Sequence, residues 1–115
     1  MERRLETLRH EFEAGDGSFL IQLRFDLTWD KQAFATLTDA MRDCCEMQAE
    51  SDRINRWLAE GFWYLQRFVR DWTQHPQFPR PYPADYYERA YGQLDDLAEW
   101  FFTGISPYNG SGGPE

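Results

Sequence analysis

Only two histidines occur in the chain, and each follows a carboxylate by four residues: Glu6 with His10, and Asp71 with His75. On a helix that spacing puts both side chains on one face. Two such pairs on two helices have the donor types for a metal ion. Di-metal carboxylate bundles, however, use Glu-x-x-His pairs with further glutamates, and no Glu-x-x-His occurs here. Ordinary surface pairing near helix ends accounts for both histidines, since the dipole favours a His at a helix C-terminus. We expect no metal and no cofactor.

Other catalytic constellations are missing too. Cys44 and Cys45 are adjacent, a spacing that rarely meets disulfide geometry, and no other cysteine is present. Placed mid-helix on or beside an apolar stripe, they read as small buried hydrophobes with inert thiols. Ser18 follows a glycine, but there is no Gly-x-Ser-x-Gly elbow. No Walker or dinucleotide-type phosphate loop is present. The expectation is a protein that is not an enzyme.

The carboxylates are more informative. Asp39, Asp43, Glu46 and Glu50 follow at spacings of four, three and four and share one helix face. Asp85, Glu88, Asp96 and Glu99 line a second helix, with Asp95 alongside. Like charges at i, i+4 cost a few tenths of a kcal/mol each, so a helix tuned only for its own stability would mix the signs. Arg42, Arg53 and Arg89 lie near enough to soften the repulsion. A solvated face is one reading, and the more common use of charge runs. The other is a docking surface for a basic partner, where steering speeds association. A second candidate surface is the segment 75–83, HPQFPRPYP, whose four prolines make a stiff extended connector. It presents Phe78, Arg80 and Tyr82, either as an interface hot spot or as lids over the core.

The totals bound the partner. A net charge of −8 and a pI near 4.7 repel duplex nucleic acid and anionic membranes on average and attract a basic protein. The start MERRLETLRH lacks the apolar stretch of a signal peptide, and no run of about 18 apolar residues exists to span a membrane. Together with the cysteine usage this fits a cytoplasmic protein. At 115 residues, 42% of them hydrophobic and 17% aromatic, the chain suits one domain with a sizeable core.

The elements that must carry these residues are helical. Leu5, Leu8 and Phe12 make a short amphipathic helix over 2–14, ended by Gly15-Asp16-Gly17, and Ser18 can cap a new start. Residues 19–27 alternate like a strand, yet Phe19, Leu20, Leu23 and Leu27 also fit a helical face. With no second alternating segment to pair with, a short helix is favoured, and the strand stays open. Thr28 is a candidate cap for a helix over about 29–49, with Phe34, Leu37, Met41, Cys44 or Cys45, and Gln48 inward. Ile54 to Trp72 keeps helical spacing over five turns, with an apolar arc widened by Trp63 and Tyr64. It is expected to start at Ser51 or Asp52 and to be the central helix. Gly61 in its middle fits either a close crossing or simple tolerance. A last helix over about 84–102, entered through Pro83 and stopped by Gly104, turns Tyr87, Ala90, Tyr91, Leu94, Leu97, Ala98 and Phe101 inward. The predicted fold is all-α: a compact bundle of three long helices plus one or two short N-terminal helices. Residues 1–108 form the domain, and 109–115 are a flexible Gly-rich tail.

The runs GDGSFLIQLRFDLTWDKQAF, WLAEGFWYLQRFVRDWTQHP and PADYYERAYGQLDDLAEWFFTG resemble the small acidic immunity proteins of bacterial polymorphic toxin systems, across residues 12–108. The likeness is of local wording, without a diagnostic motif. It implies an inhibitor that occludes a cognate toxin and does no chemistry. The expected function is therefore a non-enzymatic binding protein. Its contacts with a basic toxin domain would come from Asp39, Asp43, Glu46, Glu50, Asp96 and Glu99 together with Phe78, Arg80 and Tyr82. A self-associating helical module, a homodimer among its forms, is the alternative. A phage-type acidic inhibitor is another.

Overall fold

Local capping chemistry sets where the chain turns into helix. In the structure, a computed structural model, residues 2–108 are described, with side chains from residue 5 onward. The predicted tail 109–115 lies outside the described residues. Five α-helices follow in order: α1 (Glu2–Phe12), α2 (Phe19–Phe25), α3 (Lys31–Gln48), α4 (Arg56–Thr73) and α5 (Ala84–Thr103). No strand occurs among the described residues. The all-α bundle expected from the sequence is observed, and both short N-terminal helices form.

Ser18 caps α2 as predicted, its Oγ accepting the Ile21 N–H. Residues 19–25 are thus helical. Phe19, Leu20 and Leu23 are buried, while Leu27 is exposed at a positive φ of 52°. The α3 cap differs from expectation. Asp30, two residues beyond Thr28, accepts the N–H groups of Gln32 and Ala33, and Thr28 instead donates to the Asp26 carbonyl. An ionised acceptor bonding two orphan N–H groups is the stronger cap, and it holds the Asp30 carboxyl below its usual range. Helix α4 starts at Arg56 after the cap Asn55, later than Ser51 or Asp52. Ser51 is spent on a local turn, bonding the Arg53 backbone in both directions. Ile54 consequently lies outside the helix and is exposed. Helix α5 stops at Gly104 with φ 76°, the left-handed conformation a glycine supplies cheaply.

The predicted inward stripes are largely the core. On α5 all seven expected residues are buried, joined by Trp100. On α3 Phe34, Leu37, Met41, Cys44 and Cys45 are buried, and Gln48 is half-buried. On α4 the core row is Leu58, Phe62, Leu65, Val69 and Thr73. The expected central helix is not central, however. Helix α5 packs between α3 and α4, and α1 lies against α3. The pairs Phe62–Phe101, Arg70–Asp95 and Thr73–Tyr91 run α4 antiparallel to α5. Trp29 near the start of α3 meets Tyr86 and Tyr87, and Cys45 near its end meets Leu97, so α3 and α5 are parallel. Gly61 permits a close approach: a Cβ there would fall 2.1 Å from the Phe12 ring, which reaches across from α1.

One end of the bundle is closed by an aromatic cluster. Trp29 packs edge-on to Phe19, Tyr86 and Tyr87, and its indole N–H donates to Tyr86 Oη at 2.8 Å. Buried polar groups are paired. Thr73 Oγ1 donates to the Val69 carbonyl at 2.7 Å, so the Tyr91 hydroxyl 2.5 Å away donates to Thr73.

Candidate protein-binding surface

Because α3 and α5 run side by side, their outward rows form one carboxylate face. Asp39 and Glu46 are exposed on α3, with Asp43 half-buried between them. On α5 Glu99 is exposed and Asp96 half-buried. Glu50 belongs to a different place, since α3 ends at Gln48 and Glu50 sits in the following loop. The cations along this face are already engaged. Arg89 bonds Asp85 at 2.9 Å, Arg70 bonds Asp95 at 2.9 Å, and the Arg42 guanidinium lies 5.0 Å from the centre of the Tyr108 ring. Tyr108 rests near Asp96, and burial raises its hydroxyl pKa, with Asp96 adding to the rise. At the N-terminal end of the face Lys31, Asp39 and Arg89 line a shallow groove between the two helices. Asp39, Glu46 and Glu99 make no ion pair among the described residues.

The proline-rich connector behaves as a lid. Phe78 is buried, which removes it from the expected contact residues, because a side chain already packed in the core offers no area to a partner. Tyr82 is half-buried against Tyr86 and Tyr87, with the Lys31 ammonium 4.0 Å from its ring centre. Arg80 is exposed and stacks over Tyr87 at 4.6 Å. The connector brings these three residues to the end of the bundle that holds Trp29, at the N-terminal end of the acidic face.

The histidines do not pair with the expected carboxylates. His10 donates from Nε2 to the Asp16 carbonyl at 2.8 Å, closing the turn after α1, and His75 Nδ1 accepts the Gln77 N–H. Among the described residues no group of three or more His, Cys, Asp or Glu is placed to hold a metal ion. Burial pushes both cysteine thiols up to about 12, so neither forms a useful thiolate near neutral pH. No helix among the described residues is long and apolar enough to cross a membrane.

Two apolar surfaces escaped the sequence reading. Tyr64, Phe68 and Trp72 stack at i, i+4 along α4, with centroids 5.2 and 5.4 Å apart. The ladder leads to exposed Phe25 and Leu27, beside a notch of about 160 Å³ lined by Leu27, Trp72, His75, Gln77 and Phe78. At the opposite end Ile54, Phe102 and Ile105 are exposed. For the first, the available signal was the width of the α4 apolar arc, which holds more aromatics than its packing partners cover.

Comparison with protein-family models, with curated proteins and with solved structures gives no match for this chain.

Proposed function

We propose that this chain is a non-enzymatic binding protein of the immunity type, which neutralises a cognate bacterial toxin by covering a basic surface on it. The observation that supports this reading is the α3–α5 carboxylate face, whose neighbouring arginines are occupied by Asp85, Asp95 and Tyr108. Carboxylates that outnumber the cations beside them leave a net negative field, and such a field speeds encounter with a basic partner. The net charge of −8 has the same sign as that face.

The test begins with capture of a partner from a lysate of the source organism. The captured protein is then expressed in a bacterial host alone, with the chain, and with an Asp39→Lys/Glu46→Lys variant. Both substituted residues are exposed, so the fold should survive. Growth arrest by the partner alone, relief by the chain and loss of relief with the variant are expected. A partner without toxicity overturns the immunity reading, and full relief by the variant overturns the acidic face. A second reading, a self-associating helical module, draws on the exposed Phe25, Leu27 and Trp72 beside their notch. Sedimentation at two concentrations separates the two, since a tight dimer without any partner favours self-association.

A further inference from the structure

The C-terminal ends of α3 and α5 meet at one pole of the bundle. Gly104 approaches so closely that a Cβ there would lie 3.1 Å from the Ala49 carbonyl oxygen. A cavity of about 340 Å³ opens between the loop after α3 and the end of α5. Its lining includes Glu50, Asp52, Ile54, Phe102, Thr103 and Gly104. Ile54 and Phe102 are 42% and 43% exposed, and Ile105, one residue past Gly104, is 70% exposed. Three exposed large apolar side chains therefore cluster at this pole, where no other described residue covers them.

The electrostatics of the pole are one-sided. A helix C-terminus carries the negative end of the macrodipole and is ordinarily complemented by Lys, Arg or His in its last turn. Neither α3 nor α5 has a basic residue there. Glu50 and Asp52 add two carboxylates, and neither makes an ion pair among the described residues. Arg53 is in the same loop and Arg56 opens α4, yet among the described residues no cation lines the cavity. Exposed apolar side chains beside two carboxylates and two helix C-termini complement a long side chain with an apolar stem and a cationic head.

We infer that this pole is the docking site for a basic, apolar-flanked segment of the partner protein: an Arg or Lys enters between the two helix ends while its neighbours cover Ile54, Phe102 and Ile105. A volume near the bottom of the usual ligand-pocket range, about 300–1,000 Å³, suits one or two side chains. This inference rests on the basic-partner reading above and adds to the Asp39–Glu46 row, which steers the partner, the pole at which one of its side chains is held.

The probe is the peptide acetyl-Ile-Arg-Leu-Arg-amide, with a citrulline-for-arginine peptide as its neutral isostere, titrated into the ¹⁵N-labelled chain. Amide shift changes should concentrate at Ala49, Ser51, Thr103 and Gly104. The citrulline peptide should bind about fivefold to tenfold more weakly, the low end of the sum for two solvent-screened ion pairs and two helix termini. A Glu50→Gln/Asp52→Asn variant, with an otherwise unchanged spectrum, should remove about half of that difference. Shifts centred instead on Asp39 to Glu46 would overturn the pole and leave the basic-partner reading standing. Equal binding of the citrulline peptide would overturn the cationic occupant. No shift anywhere at millimolar peptide would overturn the pole and count against a basic partner altogether.

Discussion

Replacing Gly61 by Ala sets two effects of opposite sign against each other. In an isolated helix the change is worth about 1 kcal/mol in favour of Ala. Here the new Cβ would lie 2.1, 2.2 and 2.6 Å from Phe12 Cδ2, Cε2 and Cγ, against an optimal carbon–carbon contact of about 3.5–4.0 Å. Because Cγ is among the clashing atoms, bending the far edge of the ring away is not enough and the whole ring must retreat. Phe12 packs edge-on to Phe62 at 5.7 Å and to Trp57 at 6.2 Å. Each such pair is worth about 0.5–1.5 kcal/mol beyond its buried area, and overpacking of this kind costs about 1–3 kcal/mol. We expect Gly61→Ala to destabilise the protein by about 1 kcal/mol net. In a Phe12→Ala background the space is open, so the same substitution should stabilise by about 1 kcal/mol. The coupling in this double-mutant cycle is then about 2 kcal/mol, within the range seen for residues in contact. Urea unfolding of the four proteins, followed by circular dichroism, measures it. Stabilisation by Gly61→Ala in the unmodified chain, or a coupling below about 0.5 kcal/mol, would refute the argument.

Two further substitutions probe buried polar groups. Thr73→Val removes the acceptor for the Tyr91 hydroxyl and should cost about 1–3 kcal/mol, while adding Tyr91→Phe should recover part of that loss; a double variant less stable than the sum of the single ones would contradict the pairing. Glu11 is buried with Oε1 accepting the Phe19 N–H, and burial raises its carboxyl pKa against the opposing pull of that bond and of His10. A raised carboxyl pKa means that ionisation costs folding free energy, a cost absent below the unfolded value and growing as pH rises through the folded one. Glu11→Gln keeps an acceptor for Phe19, so its stability relative to the parent should increase from acid to neutral pH; a relative loss on raising the pH would show that the N–H bond outweighs burial.

Much of the fold was legible because helical periodicity is a local property. The α5 stripe from Tyr87 to Phe101, the Ser18 cap and the Gly104 stop each depend on residues within a turn or two of one another, so spacing and side-chain type determined them. The acidic rows on α3 and α5 were equally visible, since shared faces follow from 3.6 residues per turn. Which helix sits in the middle was not. The wide apolar arc of α4 suggested that role, but its outer aromatics Tyr64, Phe68 and Trp72 stack on one another along its flank, and α5 takes the centre. Competing caps were decided by the turn preceding α3, where Asp30 reaches two N–H groups and Thr28 serves the Asp26 carbonyl. Phe78 reads as a projecting aromatic until the bundle end is built, and only then does it have a core to enter. The pole where Ala49 meets Gly104 joins residues 55 apart in the chain, and its one-sided charge exists only because α3 and α5 run parallel. Periodicity assigns a residue to a face; which faces meet depends on contacts between segments far apart in sequence, and those only the tertiary structure decides.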